Sequence, residues 1–321
     1  MPARTTTVEI KQITTPLEHS EAPHWDHRDG SLYFVDTFQA KVLRWDSKTD
    51  HLASHKLESA SVGVVIPMKN APNQFVVSAD RRLYHFRWAG TENDTGTLTP
   101  LLEIEDHKPK NQSNDGKADS NGNLWLGTLT RRDDLGVTPL GGSLYRVRVA
   151  LKKRTLYEEK QSRTSISNGI AWSSDDKYMF FIDSQERVVY KYDFVVGTGC
   201  VSNRVVLFNM ASHQELKGIP DGMTIDTEDN LWVALFGGQS IIKVNSYTGK
   251  LLKILRMPVE YVTSVCFGGP EIDVLYATTS KLHLDVEGLA KQPSAGSVFA
   301  ISGLGVKGFR ANEVQLKENV L

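Results

Sequence analysis

Three short polar motifs that recur at a fixed spacing are the part of this sequence best suited to chemistry. They are Asn114-Asp115-Gly116, Ser167-Asn168-Gly169 and Ile219-Pro220-Asp221-Gly222. The interval from Asp115 to Asn168 is 53 residues, and the interval from Asn168 to Asp221 is again 53 residues. Side-chain oxygens at equivalent points of successive repeats would converge on one axis of a radial array, where they could bind a hard divalent cation.

Each Asx-Gly pair also predicts a tight turn, because glycine tolerates positive φ angles and Asn or Asp side chains bond their own backbone. We therefore expect the three motifs in loops, each followed by a strand. A single pair is typical of an ordinary hairpin turn. Three pairs at a constant spacing, each followed by a strand-like segment, favour a shared site over three unrelated turns.

The first repeat unit adds a further oxygen donor. When that unit is aligned on its own turn, Glu21 takes the place of Asn168 and Asp221. In the intervening unit either Asn114 or Asp115 could face the axis, because the segment there is one residue shorter. The resulting set has two carboxylates and one or two amides, with no cysteine or histidine. Such donors favour calcium, magnesium or manganese over a structural zinc site.

His24 follows Glu21 closely but is not expected to be a ligand. It lies two residues into the next strand and is predicted to point elsewhere.

The elements that must position these residues are short strands. Apolar or alternating runs bounded by Gly, Asp, Asn or Pro recur along the chain, for example at 41–46, 62–67 and 240–245, which is the pattern of antiparallel strands. Segments 119–125 and 226–232 share one Asp-to-Trp layout and lie 107 residues apart, about two repeat steps.

Counting such segments gives six units of about 40–53 residues, each with about four strands. This predicts an all-β chain folded as one six-bladed β-propeller over residues 1–321, in which a strand at 7–13 closes the ring by joining the last blade.

Composition limits the function classes. The 321 residues are 40% hydrophobic and 23% charged with a formal net charge of −1, so we expect a globular protein that binds neither nucleic acid nor membrane. A polar start and the lack of an 18-residue apolar run predict a cytoplasmic protein. Two cysteines cannot form a disulfide framework for this length, and Cys266 is predicted to be a core residue.

Six segments together carry a family resemblance in their order and spacing. They are 21–26, 114–119, 166–172, 219–223, 267–270 and 303–308. These segments resemble the regucalcin family, also called senescence marker protein-30 or gluconolactonase-like, which includes the insect luciferin-regenerating enzyme. The similarity extends from about Val8 to Phe309.

The resemblance implies a six-bladed propeller with one divalent cation at its axis, whose identity (calcium, zinc, magnesium or manganese) stays open. It implies Glu21, Asn168 and Asp221 as metal ligands, and it assigns Asn114 and Asp115 to the substrate side.

The activity that the resemblance implies is hydrolysis of a lactone ring, with the metal as Lewis acid and Asp221 as general base. A carboxylate bound to a dication is a weak base, because the cation stabilises its ionised form. Proton abstraction by Asp221 and orientation of the attacking water by Asp221 therefore stay open as alternatives.

The sequence departs from the family pattern at the substrate wall. Gln112 stands where most relatives have a substrate-binding arginine, and Leu129-Thr130-Arg131-Arg132 stands where acidic residues are common. Gln112 can still donate one hydrogen bond to a sugar lactone, but it lacks the charge and the fork of arginine. Two alternatives are open. The substrate is an anion that pairs with Arg131 or Arg132, or the chain keeps only the metal site.

Three functions fit these observations: a metal-dependent lactonase acting on a small molecule, a non-enzymatic calcium-binding regulatory protein of the regucalcin type, and a propeller that serves as a protein-interaction platform. A hydrolase like the luciferin-regenerating enzyme is a variant of the first. A platform has no need for Glu21, Asn168 and Asp221 in register, and a calcium buffer usually supplies more than two carboxylates. The sequence therefore favours the lactonase.

Overall fold

The chain is built from six antiparallel sheets arranged as a ring. The structure is a computed structural model that describes residues 7–133, 136–150 and 155–316. Each sheet has four main strands, and the innermost strand of each packs against the innermost strands of its two neighbours, with the last against the first. The predicted six-bladed β-propeller is confirmed.

The first three blades follow one another along the chain. A short strand precedes them, β1 (Glu9–Gln12). Blade 1 comprises β2 (Ser20–Asp26), β3 (Ser31–Asp36), β4 (Lys41–Asp46) and β5 (His51–Lys56). Blade 2 comprises β6 (Val62–Pro67), β7 (Gln74–Ala79), β8 (Arg82–Arg87) and β9 (Thr97–Glu103). Blade 3 comprises β10 (Asn111–Ala118), β11 (Leu124–Arg131), the short β12 (Val137–Thr138), β13 (Gly142–Arg148) and β14 (Leu156–Thr164).

The remaining three blades complete the ring. Blade 4 comprises β15 (Ser167–Trp172), β16 (Tyr178–Asp183), β17 (Val188–Val195) and β18 (Cys200–Asn209), with 3-10 turns at Ser184–Glu186 and Met210–Ser212. Blade 5 comprises β19 (Ile219–Ile225), β20 (Asn230–Phe236), β21 (Ser240–Asn245) and β22 (Leu251–Arg256). Blade 6 comprises β23 (Tyr261–Gly268), β24 (Val274–Ser280), the helix α1 (Val286–Lys291) and β25 (Phe299–Ser302). None of the helices in the described ranges has the length and apolar character that crossing a membrane requires.

The hydrophobic core lies between neighbouring blades. Aromatic rings from adjacent blades meet there: Tyr33 and Phe75 are 4.7 Å apart between ring centroids, and Trp125 and Trp172 are 5.9 Å apart. Offset and edge-on ring contacts of this kind add to the free energy gained by burying the rings. Cys266 is buried in blade 6, as predicted, whereas Cys200 is exposed.

The repeated Asp-to-Trp segments are hairpins held by a buried carboxylate. Asp119 accepts a hydrogen bond of 3.0 Å from Trp125 Nε1, and Asp226 accepts one of 2.9 Å from Trp232 Nε1. The same carboxylates accept backbone N–H groups of the loops. This satisfies the loop donors and explains why the two segments share one residue pattern.

Every innermost strand is interrupted by a β-bulge near its middle. The register shifts fall after Glu21, Val62, Ser113, Ser167, Pro220 and Val262. A bulge adds an unpaired residue and changes the direction in which side chains point. The six bulges together ring the propeller axis at one level.

The prediction that the three Asx-Gly pairs form turns is wrong. All three lie at the bulges, inside β10, β15 and β19, and Gly116, Gly169 and Gly222 do not have positive φ. Their glycines are required by close packing instead. A Cβ on Gly169 would lie 2.7 Å from the Asp221 carbonyl oxygen, and a Cβ on Gly222 would overlap the Ser264 side chain.

The N-terminal strand belongs to the last blade. β1 pairs antiparallel with β25, with Glu9 opposite Ser302 and Gln12 opposite Phe299. The first strand and the last three strands of the chain thus share one sheet, with β1 at its outer edge.

A C-terminal segment, residues 303–316, crosses one face of the ring. Gly308 N donates to Ile272 O in blade 6, and Val314 N donates to Pro67 O in blade 2, with distances of 2.8 and 2.9 Å. Arg28 of blade 1 forms an ion pair of 3.1 Å with Glu313. The segment therefore ties distant blades together, which the sequence patterns did not predict.

Candidate functional site

Side chains from four blades meet in one cavity at the axis. Glu21, Asn114, Asn168 and Asp221 come from β2, β10, β15 and β19, and all four line a cavity of about 250 Å³. Asn114, Asn168 and Asp221 are each the first residue of the bulge in their innermost strand, and Glu21 is the last paired residue before the bulge of β2. The three equivalent bulge residues are 54 and 53 residues apart, so the 53-residue interval that starts at Asp115 begins one residue after the side chain that lines the cavity.

The structure distinguishes Asn114 from Asp115, which the sequence left as alternatives. Asn114 lines the cavity and donates from Nδ2 to the Ser167 carbonyl oxygen at 3.0 Å. Asp115 is 8% exposed and accepts a hydrogen bond of 2.7 Å from Gly116 N. Asp115 supports the site from behind the lining residues.

The carboxylates of the site are buried and repel one another. Burial raises the pKa of Glu21 well above its usual value, and the charges of Asp221 and Asp115 raise it further. Burial and the Asp115 charge likewise raise the pKa of Asp221. Burial also raises the pKa of Asp115, opposed by the nearby ammonium of Lys117. Closely spaced buried carboxylates of this kind are stabilised when a cation joins them.

Asn168 offers an oxygen that is not otherwise used. Its Nδ2 donates to Ser184 Oγ at 2.9 Å, which fixes the orientation of the amide. Its Oδ1 is buried and has no hydrogen-bond partner among the described residues. A buried acceptor without a donor is costly, so the donor set fits a hard cation held by oxygen atoms.

The outer wall of the cavity is aromatic and was not predicted from the sequence. The rings of His19 and Phe38 are 5.1 Å apart, and those of Phe236 and His283 are 5.6 Å apart. All four residues line the cavity. Arg131 joins this wall, with its guanidinium 5.0 Å from the centre of the Phe38 ring. Because these residues come from loops and strand ends of different blades, no sequence period marks them.

The structure does not bring every predicted substrate residue into this cavity. Gln112 and Arg132 line a separate depression beside blades 2 and 3, together with Arg131. Gln112 therefore does not line the axial cavity, and its contact with substrate stays a prediction. Gln112 pairs with Leu129 in the regular part of the ladder, and the bulge that redirects side chains begins only after Ser113.

His24 also lies outside the axial cavity, as predicted. It is buried and lines a second cavity farther along the innermost strands.

Asp26, His27 and Glu313 form another group of ligand-type side chains, away from the axial site. Arg28 already offsets part of its negative charge, because Arg28 pairs with Asp26 at 2.6 Å and with Glu313 at 3.1 Å. We assign no cation to this group.

The fold and the site together define a class: six-bladed β-propellers in which side chains of several blades surround an oxygen-rich axial cavity. Within that class the chain belongs to the SMP-30/Gluconolactonase/LRE-like family, whose model matches residues 19–281. The family resemblance noted in the sequence is confirmed.

Relatives along the whole chain agree with this membership. Regucalcin from Danio rerio is 35% identical over 291 residues, covering 91% of this chain and 92% of the relative, and regucalcin from Homo sapiens is 33% identical over 289 residues, covering 90% and 92%. A luciferin-regenerating enzyme of known structure is 39% identical with a TM-score of 0.89, covering 97% of this chain and all of that one. A regucalcin from Agrobacterium tumefaciens described as a calcium-binding protein is 23% identical with a TM-score of 0.84, covering 95% and 97%, which supports the fold.

Proposed function

We propose that this protein is a divalent-metal-dependent hydrolase of lactones. The observation that supports the proposal most is the meeting of Glu21, Asn168 and Asp221, from three separate blades, in one buried cavity. A cation held by these three side chains would offset the repulsion between the carboxylates and would use the free Asn168 oxygen.

When bound, the cation would supply Lewis acidity toward the lactone carbonyl. The protein side chains would do the rest. Asn114 lines the cavity beside the ligands and has an amide suited to orient the substrate. Asp221 would hold the attacking water and accept its proton.

The wall of the cavity suggests which lactones fit. Phe38 and Phe236 present apolar rings, His19 and His283 flank them, and burial together with the Arg131 charge lowers the pKa of His19 to about 3. The aromatic rings of this wall favour a lactone with an apolar or aromatic body over a polyhydroxylated sugar lactone. Arg131 adds one positive charge for an acidic substituent.

A panel of lactones tests the proposal. Metal-stripped protein would be supplied in turn with calcium, magnesium, manganese and zinc, and assayed on dihydrocoumarin and on glucono-δ-lactone. We expect hydrolysis that needs a dication, and a loss of kcat of about 10³-fold in Asp221→Asn. The matched control is Asp175→Asn, which changes an exposed carboxylate on a surface loop. Full activity in Asp221→Asn with metal present would refute the catalytic role.

A non-enzymatic calcium-binding protein is the second candidate. The all-oxygen donor set and the similarity to proteins named regucalcin favour it. The same assay separates the two functions, because this candidate predicts calcium binding at the axial site without turnover of any lactone.

A further inference from the structure

The innermost strands surround a second cavity, of about 390 Å³, beyond the bulges. His24 and Lys117 line it three residues after Glu21 and Asn114, and Thr224 lines it three residues after Asp221. The C-terminal segment forms its rim through Phe309, Arg310 and Asn312. We propose that this cavity, which we call the distal cavity, is a binding site for a small organic anion with a phosphate or carboxylate head.

Two polar groups inside the distal cavity have unused hydrogen-bonding capacity. His24 is 7% exposed, and its ring makes no hydrogen bond to any residue that the structure describes. Lys117 donates from Nζ to Met223 O at 2.7 Å, which leaves two of its three N–H groups for another acceptor. Both groups line the cavity, so an acceptor bound there would be within reach of their free N–H groups.

The charge of the distal cavity is suited to an anion. Lys117 lies on its inner wall, and Arg310 lies at its exposed rim without an ion pair to the described residues. Asp176 is the one carboxylate among the described residues that line the cavity. The negative charge of Asp115, near the axial site, offsets part of the positive charge of Lys117. The two cations Lys117 and Arg310 outnumber the single carboxylate of Asp176 among the described residues that line the cavity.

The rest of the lining suits an organic body. Trp172, Phe267 and Phe309 supply aromatic surface to the cavity. Phe309 is 41% exposed at the rim, which is unusual for a side chain of its size. A ring or short chain attached to the anionic head would cover this surface. Ser120 and Asn312 at the rim can hydrogen-bond polar substituents.

Calorimetric titration of the full chain with phenyl phosphate, benzoate and benzyl alcohol tests the proposal. EDTA is present so that the anions cannot bind a metal at the axial site. We expect both anions to bind, and the neutral alcohol, which has the same ring, not to bind. The two anions also show which head group the site prefers.

Three variants locate the binding. Removal of a charged donor in Lys117→Met or Arg310→Ala should weaken phenyl phosphate binding about tenfold each. The matched control is Lys307→Met, on the same C-terminal segment, whose ammonium pairs with Glu271 at 2.9 Å outside the cavity, and it should bind as the parent protein does.

If neither anion binds the parent protein, or if Arg310→Ala binds phenyl phosphate as tightly as the parent does, the proposal is overturned. Should Lys117→Met fail to fold, as seen by its circular dichroism, Arg310→Ala decides alone, because Arg310 is exposed. Equal binding of benzyl alcohol would also overturn the proposal, since it would mark an apolar site without preference for charge.

Discussion

At the scale of single residues, the position of a side chain relative to the bulge of β10 decides which cavity it lines. Asn114 follows the shift after Ser113 and lines the cavity, whereas Gln112 precedes it and faces the depression beside blades 2 and 3. Gln112 and Asn114 are therefore only two residues apart, but only Asn114 contacts the axial cavity. Counting along the sequence from a family motif cannot resolve this, because the bulge breaks the alternation of strand faces.

This difference predicts a matched pair of kinetic results. Asn114→Ala should raise KM for the best lactone of the panel about fivefold, because it removes an amide from the cavity wall. Gln112→Ala should leave KM within about twofold of the parent value, since Gln112 does not line that cavity. Steady-state assays of both variants measure this. A larger KM change in Gln112→Ala than in Asn114→Ala would mean that substrate binds in the outer depression.

At the scale of elements, the bulges of β15 and β19 join the axial cavity to the packing between blades. Each of these two bulges places one polar side chain in the cavity, and the glycine next to it lets the adjacent blade approach. Asn168-Gly169 and Asp221-Gly222 thus combine a residue that lines the cavity with a residue that has no side chain to clash with the next blade. The Asx-Gly pattern is explained by the contact between blades and not by turn geometry.

The packing role of these glycines predicts a large loss of stability in Gly222→Ala. Its Cβ would lie 2.7 Å from Ser264 Cα and overlap the Ser264 side chain, so the two blades must separate. We expect a fall in free energy of unfolding of about 2 kcal/mol and in Tm of about 3 °C.

Gly197→Ala is the matched control, because a Cβ there meets no atom within 4 Å. Its Tm by scanning calorimetry should stay within about 1 °C of the parent value. Equal Tm values for Gly222→Ala and the parent protein would contradict the packing account.

The sequence patterns predicted the strands better than they predicted the bulges that interrupt them. Strands at 41–46, 62–67 and 240–245 have the predicted bounds, because alternation and turn residues are local signals. The bulges, the aromatic wall with Phe38 and Phe236, and the C-terminal segment over the ring were not predicted. Each of these depends on contacts between blades far apart in sequence, which no local pattern records.

At the scale of the whole molecule, the last blade of the ring is completed by β1, a strand from the N-terminal part of the chain. Besides pairing with β25, the N-terminal segment is tied in by Ile13 N, which donates to Val298 O at 2.9 Å, and by Thr14 Oγ1, which accepts from Val298 N at 2.9 Å. Blade 6 is therefore complete only when both chain ends are in place. Because the ring holds the axial site, the stability of that site depends on the terminal strands that complete blade 6.

Deletion of residues 1–14 should therefore destabilise the whole ring. It removes β1 and leaves the polar edge of β25 without its partner strand. We expect a fall in Tm of about 10 °C, measured by scanning calorimetry at one protein concentration. An unchanged Tm would show that the other three strands of blade 6 suffice to close the ring.

The most direct test of the central claim is calorimetric titration of metal-stripped protein with calcium and with manganese. We expect one dication to bind per chain. Binding should weaken at least about tenfold in each of Glu21→Gln, Asn168→Ala and Asp221→Asn, because the first and third substitutions remove a negative charge and Asn168→Ala removes an oxygen ligand. Asp175→Asn should bind the ion as the parent protein does. If the three axial variants bind the dication as tightly as the parent protein, or if the parent protein binds none, the side chains of the three blades do not form a metal site.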